Sequence, residues 1–138
     1  MADPLLLDTC AAIWVANDDP IGKDGRDAIV AALRAKDPIY VSPISAWEIG
    51  LLAARRRISL RLSPEKWFDR LLSAPGLRLA ELPPSVLIGS SFLPGDTPSD
   101  PADRIIAATA REYDLRVVTR DRRLLAYAES GYCRALAC

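Results

Sequence analysis

Four acidic residues of this chain lie at positions where a negative charge is energetically unfavourable unless a cation or hydrogen-bond donor compensates it. Asp8 directly follows the apolar run 5–7, and Asp121 follows the apolar run 116–119. Glu48 and Asp103 each fall within an apolar stripe at helical spacing, so their carboxylates are expected to face the interior of the domain. A buried carboxylate is unfavourable unless a cation or hydrogen-bond donors compensate it. The pattern therefore predicts that these acids have a catalytic or ligand-binding role.

The elements expected around these acids alternate between strand and helix. Short apolar runs predict strands at 4–8, 39–41, 77–82 and 116–119, and an edge strand at 133–136. Helical spacing and capping residues predict helices at 9–17, 24–36, 44–57, 64–72, 84–92 and 99–113, with a last turn or short helix opened by Asp121. On the second helix, Ile29, Val30 and Leu33 are expected to face inward. This alternation is typical of an α/β domain whose mostly parallel sheet is covered on both faces.

The predicted fold brings the four acids to one place. In open α/β sheets the ligand crevice lies beyond the carboxyl ends of the strands, where Asp8 and Asp121 stand. Glu48 and Asp103 lie on helices that follow crossover connections. Four carboxylates that point toward one crevice repel each other, and a divalent cation is the simplest partner that removes this repulsion. The sequence therefore predicts a metal site.

Each of these acids also has an explanation that needs no metal. Asp8 and Asp121 can cap the helices that follow them. Asp103 falls at the third helical position, where the helix dipole favours an acid. Asp100 stands directly before Pro101 and is interpreted as a helix cap, which leaves open whether it contributes to the site. The prediction of a metal site rests on the four acids together.

The composition restricts the chemistry that is available. The chain has 138 residues, which fits one domain, and it has no histidine. This excludes Ser-His-Asp and Cys-His catalysis and the commonest zinc ligand sets. Cys10, Cys133 and Cys138 form no CxxC pair and leave one thiol over, which favours a reducing compartment. No membrane span and no signal peptide are predicted, so the expected location is cytoplasmic.

Positive charge is balanced overall and clustered locally. Eighteen basic residues match eighteen acidic ones, so nucleic acid would have to be attracted by local clusters. Solvated charge at a helix end explains such clusters equally well, and an arginine at the end of the third helix can instead pair with Glu48. Two arginine clusters are the candidates for RNA binding: Arg55, Arg56 and Arg57, and Arg120, Arg122 and Arg123.

The order of the motifs closely resembles the PIN-domain family, and in particular the VapC toxins of bacterial toxin–antitoxin pairs. The motifs are LLLDTCAAIW, SAWEIGLL, DPADRIIAATA and VVTRD, and the most specific stretch is DPADRIIAATAREYDLRVVTRD. The resemblance covers essentially the whole chain, 1–138, as a single PIN domain, and it implies a three-layer α/β/α sandwich. The acidic site of the family, with one polar neighbour, falls on Asp8, Glu48, Asp103, Asp121 and Thr119.

The resemblance also implies an activity. The metal is expected to be Mg²⁺, with Mn²⁺ as a substitute, and Asp8 and Asp103 are expected to be its principal ligands. The reaction is hydrolysis of RNA phosphodiester bonds by water, with 5′-phosphate and 3′-hydroxyl products. Expected partners are a VapB-like antitoxin and a second copy of the chain. Relatives often have histidine at the positions of Cys10 and Ser99, but neither position belongs to the acidic site.

Other functions fit the residues less well. A haloacid-dehalogenase-type phosphatase needs a second aspartate two residues after the first, where Cys10 stands. A receiver domain needs a lysine late in the chain, whereas the last one is Lys66. A catalytically inactive PIN-like module that binds RNA or protein remains the alternative. Such modules usually lack one or more of the acids, and this chain has all four.

Overall fold

The structure is a computed structural model that describes residues 3–138, so residues 1 and 2 of the predicted domain lie outside the described residues. Five strands and seven helices alternate within this range. The strands are β1 (Leu5–Leu7), β2 (Ile39–Val41), β3 (Leu77–Leu79), β4 (Arg116–Thr119) and β5 (Arg134–Ala137). The helices are α1 (Thr9–Ala16), α2 (Lys23–Ala35), α3 (Pro43–Ala54), α4 (Pro64–Leu72), α5 (Pro84–Gly89), α6 (Pro101–Tyr113) and α7 (Arg122–Glu129).

The strands form one sheet in the order β3-β2-β1-β4-β5, and every neighbouring pair is parallel. In the central pairings, Leu6 lies opposite Tyr40 on one side and Val117 on the other. The chain proceeds from β1 to β2 and β3 on one side, and later fills the other side with β4 and β5. The strand order therefore reverses between β1 and β4, and a crevice is expected beyond the carboxyl ends of these two strands.

Alternation along β1 builds two cores. Leu5 and Leu7 belong to a core that includes Ala11 of α1, Ala32 of α2 and Trp67 of α4. The side chain of Leu6 points to the opposite face of the sheet, because successive residues of a strand alternate. There it packs with buried residues of α6 and α7, among them Ile106, Ala107, Leu124 and Tyr127. The predicted three-layer α/β/α architecture is confirmed.

The helices that carry the site begin at residues suited to capping. Ser42 precedes Pro43 and its Oγ accepts a hydrogen bond from the Ile44 N–H at 3.1 Å, which fixes the start of α3. Asp100 precedes Pro101 in the same way at the start of α6. Proline fits the first helical position because its missing N–H would have no partner there. The starts of α3 and α6 are thus set by local sequence.

The elements differ from the prediction in extent and in one helix face. Strand β3 ends at Leu79, whereas the pattern predicts continuation to residue 82. Helix α3 ends at Ala54, whereas the pattern predicts continuation to residue 57. The prediction that Val30 and Leu33 face inward is wrong, since they are 39% and 43% exposed. Helix α2 instead approaches Cys138 through Gly25, where a Cβ would lie 2.5 Å from the Cβ of Cys138. Within the described part of the chain, no helix combines the length and the apolar character needed to cross a membrane.

Candidate active site

Asp8 lies at the reversal of strand order, with both carboxylate oxygens in hydrogen bonds. Its Oδ1 accepts the Ala11 N–H at 2.8 Å, so Asp8 does cap α1. Its Oδ2 accepts the hydroxyl of Thr119, the last residue of β4, at 2.5 Å. Burial raises the pKa of the Asp8 carboxyl, and these two hydrogen bonds partly oppose the shift. The capping role and a place at the crevice are therefore compatible.

Thr119 joins the ends of β1 and β4 to the start of α7. Its side chain is fully buried, and its Oγ1 also accepts the Asp121 N–H at 2.9 Å. Asp121 is the N-cap of α7, with Oδ1 accepting from the Arg123 and Leu124 N–H groups at 2.9 and 3.0 Å. The cap uses Oδ1 alone. Thr119 thus links Asp8 to Asp121 through its hydroxyl group.

Replacing Thr119 by valine should affect both stability and the site. The change removes the donor to Asp8 and leaves the Asp121 N–H without its hydroxyl acceptor. An unsatisfied buried polar group costs about 1–3 kcal/mol, so urea unfolding should show a loss of that size. Loss of a group that orients a ligand typically lowers activity about 10–100-fold. Thr119→Ser retains the hydroxyl and is the matched control; equal activity of the two variants would contradict this role.

Glu48 reaches the crevice from the middle of α3. Its Oε1 accepts a hydrogen bond from the Thr9 hydroxyl, and the Thr9 hydroxyl also contacts the Ser45 hydroxyl at 2.9 Å. The alternative pairing with an arginine at the end of α3 is not observed, because no salt bridge within residues 3–138 involves Glu48. Burial raises the pKa of Glu48, the Thr9 hydrogen bond lowers it, and the charges of Asp100 and Asp8 raise it further.

Asp103 lies in the first turn of α6, and its backbone N–H donates to Oδ2 of Asp100 at 3.1 Å. Asp100 is therefore the helix cap that the sequence predicts. Burial raises the pKa of the Asp103 carboxyl from 3.8 to about 7, and the negative charges of Asp121, Asp100, Glu48 and Asp8 add to the shift. All four predicted site acids thus belong to one electrostatic cluster.

The thiol of Cys10 is influenced by the same charges. Its pKa is raised to about 11, first by desolvation and then by Asp8, Glu48, Asp103 and Asp121. A thiol with this pKa is protonated at neutral pH, so Cys10 is not a nucleophile in the metal-free site. The shift also supports the convergence of acids from the ends of β1 and β4 and from α3 and α6.

The chemistry of these donors suits a hard divalent cation. Within residues 3–138 no lysine or arginine forms a salt bridge with any of the four acids, although burial raises the pKa values of Asp8, Glu48 and Asp103. In the same range no three acidic or cysteine side chains are close enough to form a ready-made metal-binding group. Like charges favour separation until a cation neutralises them. The carboxylates therefore fit Mg²⁺ or Mn²⁺ by type, burial and missing counter-charge, and their final approach would accompany binding.

The arginines predicted to bind RNA fall into two groups. The guanidinium group of Arg120 lies 3.9 Å from the ring centre of Trp14 and donates to the backbone oxygens of Cys138 and Pro20 at 2.6 and 3.2 Å. Arg123 donates to the Thr97 carbonyl at 3.3 Å. These two side chains thus contact backbone oxygens near the site, although both residues are exposed. The remaining four are exposed as well, at the end of α3 and the start of α7: Arg55, Arg56, Arg57 and Arg122.

Two polar residues at the site were not among the predicted site residues. Thr9 is 5% exposed and Ser45 is fully buried, and both hydroxyls lie beside Glu48. The spacing of Ser45 and Glu48, three residues apart on α3, was a signal that they share a helix face. No sequence pattern indicates a role for Thr9, because its contact with α3 depends on the tertiary fold.

Two comparisons with known protein sequences gave matches over most of the chain. A family model described as "PIN domain" matches residues 5–130. The chain is 38% identical over 121 residues to Ribonuclease VapC22 of Mycobacterium tuberculosis (strain ATCC 25618 / H37Rv), covering 87% of this chain and 88% of that protein.

Solved structures share the fold at low sequence identity. DNA-bound VapBC from Salmonella typhimurium aligns with a TM-score of 0.67 at 20% identity, covering 99% of this chain and 98% of that one. VapBC2 from Rickettsia felis, bound to a DNA fragment from its promoter, aligns with a TM-score of 0.66 at 14% identity, covering 97% and 98%.

Proposed function

The chain belongs to the PIN-domain family, and on this premise we propose that it is a Mg²⁺-dependent endoribonuclease, the toxin of a type II toxin–antitoxin pair. The supporting observation is that four acids, Asp8, Glu48, Asp103 and Asp121, lie around the carboxyl ends of β1 and β4 and have no basic partner within residues 3–138. Hydrogen bonds through Thr119 join Asp8 to Asp121, and Thr9, next to Asp8 in the chain, donates to Glu48. An inactive binding module would have no use for this uncompensated charge, which destabilises the fold.

In this proposal each residue has a distinct role. Asp8 and Asp103 are the principal ligands, and Glu48 and Asp121 complete the site directly or through water. When bound, Mg²⁺ would lower the pKa of a coordinated water and neutralise charge that develops on the scissile phosphate. Thr119 holds the Asp8 carboxylate in place. Water is the nucleophile, so the products would carry 5′-phosphate and 3′-hydroxyl ends.

The RNA backbone would be held by arginines beside the acids. Arg122 begins α7 directly after Asp121 and is exposed, as are Arg55, Arg56 and Arg57 beyond the end of α3. Arginine suits this task because its planar guanidinium group can donate two hydrogen bonds to one phosphate. The internal contacts of Arg120 and Arg123 favour a supporting role for these two residues.

The proposed protein partner is a VapB-like antitoxin. The structural neighbours named above include VapBC complexes, and a relative that is 38% identical is named as a VapC protein. An antitoxin segment that covers the crevice would supply the positive charge that the four acids lack. We propose a homodimer as the toxin assembly.

RNA cleavage by the purified chain would test the proposed activity. Incubation with bacterial RNA should yield new fragments in the presence of Mg²⁺ or Mn²⁺ and none in excess EDTA, and end mapping should find 5′-phosphates. Glu48→Gln removes one carboxylate with little change of shape and should lower cleavage at least about 10-fold. Binding of RNA without cleavage under all metal conditions would favour the inactive module.

A further inference from the structure

A chain of hydroxyl groups connects the interior of the protein to Glu48. Ser45 lies on α3, one turn before Glu48, and is fully buried. Its Oγ lies 2.9 Å from Oγ1 of Thr9, the first residue of α1, and the Thr9 hydroxyl contacts Oε1 of Glu48. These three side chains span the junction between α1 and α3, while Thr119 contacts Asp8 on the other side of the crevice.

Proton counting gives the chain a direction. A threonine hydroxyl has one proton, and here it is donated to the Glu48 carboxylate. The contact between the Thr9 and Ser45 hydroxyls must then have Ser45 as the donor. Each hydroxyl therefore donates toward the acid, and aligned donors of this kind polarise and strengthen one another in a buried setting.

We propose that Thr9 and Ser45 are positioning residues that hold the Glu48 carboxylate toward the crevice in the orientation needed for metal binding. The proposal rests on the proposed function and adds two residues to it. Thr9 is well placed for this task because it follows Asp8 directly in the chain, so its hydroxyl sets the position of Glu48 relative to Asp8.

The need for such a device follows from the side chain it holds. Glutamate has three rotatable side-chain bonds, and Glu48 is only half-buried, so without a donor its carboxylate is free to turn toward water. Repulsion between neighbouring negative carboxylates favours that movement. The Thr9 hydrogen bond opposes it, because it stabilises the ionised carboxylate in place.

Four variants separate positioning from packing. Thr9→Val removes the hydroxyl at nearly constant shape and leaves Ser45 without its acceptor. Thr9→Val combined with Ser45→Ala removes both partners, which relieves the unsatisfied group. Ser45→Ala alone retains the donor to Glu48. Thr9→Ser retains the hydroxyl and loses only a methyl group, so it is the conservative control.

Mn²⁺ affinity, measured from the electron paramagnetic resonance signal of the free ion, is the deciding quantity. The Mn²⁺ affinity should fall about 10–100-fold in Thr9→Val and by the same factor in the double variant. It should fall less in Ser45→Ala and stay close to the wild-type value in Thr9→Ser. Thermal unfolding should follow another order, with the double variant more stable than Thr9→Val. Cleavage rates at saturating Mn²⁺ should follow the affinity order.

The outcomes distinguish this inference from the proposed function. Wild-type protein that neither binds Mn²⁺ nor cleaves RNA would refute the proposed function. Wild-type protein that does both, together with Thr9→Val that binds Mn²⁺ with unchanged affinity, would overturn only the positioning role. Mn²⁺ affinity that tracks unfolding temperature across all four variants would also overturn it, because packing alone would then explain the losses.

Discussion

Replacing Asp103 by asparagine should lower RNA cleavage on the order of 1000-fold, beyond the roughly 10–100-fold cost of losing a group that only orients a ligand. The same change should stabilise the metal-free protein at pH 8. The folded-state pKa of Asp103 is about 7, above the usual 3.8, so ionisation between these values destabilises the fold as pH rises. The full shift corresponds to at most ~4 kcal/mol, and partial exposure reduces the expected gain to about 1–2 kcal/mol.

Urea unfolding in EDTA at pH 8 and pH 5 measures the stability part of this prediction. The gain should be larger at pH 8 than at pH 5, where Asp103 is protonated in the folded protein and only the ionisation of the unfolded chain still disfavours folding. Asp100→Asn is the matched control, because asparagine caps a helix as well as aspartate and retains the acceptor for the Asp103 N–H. It should retain most of the cleavage activity. Full activity in Asp103→Asn, or loss of stability at pH 8, would contradict the assignment.

Binding of Mn²⁺ should weaken about tenfold when the pH is lowered from 8 to 6. The metal requires the ionised carboxylate, and with a pKa of about 7 Asp103 is mostly protonated at pH 6. Binding at that pH should therefore release close to one proton. Because burial also raises the pKa values of Asp8 and Glu48, the loss of affinity should steepen at lower pH.

Calorimetry in two buffers with different ionisation enthalpies counts the released protons. A larger proton release at pH 6 than at pH 8 is expected, and Asp103→Asn should abolish the difference between the two values. Mn²⁺ affinity that is constant between pH 6 and pH 8 would mean that protons and the metal do not compete for these carboxylates. The assignment of these carboxylates as metal ligands would then be wrong.

The architecture could be predicted from the sequence, and the four acids could be named as candidate site residues, because both depend on local patterns. The run of three leucines before Asp8, and the Ser-Pro and Asp-Pro pairs at the starts of α3 and α6, mark elements by their own residues. Once the strands are taken as parallel, the carboxyl-end rule places Asp8 and Asp121 together.

Tertiary contacts could not be predicted in the same way. Leu33 is exposed, and α2 lies against Cys138 at Gly25; helical periodicity alone contains neither fact. The contact between Thr9 and Glu48 joins residues 39 positions apart. The cluster with Arg122 predicts that Arg120 binds RNA, but its guanidinium group stacks over the ring of Trp14. Such contacts are properties of the assembled fold.

A crystal of the protein grown with Mn²⁺ and measured at the manganese absorption edge would show directly whether the four acids bind a metal ion. We expect one strong anomalous peak at the crevice between the ends of β1 and β4, with carboxylate oxygens of Asp8 and Asp103 at roughly 2.0–2.2 Å. Glu48 and Asp121 should be bound to the same ion or linked to it through water. A well-ordered crevice with no peak, or a peak with none of these acids near it, would show that the acids do not form a metal site.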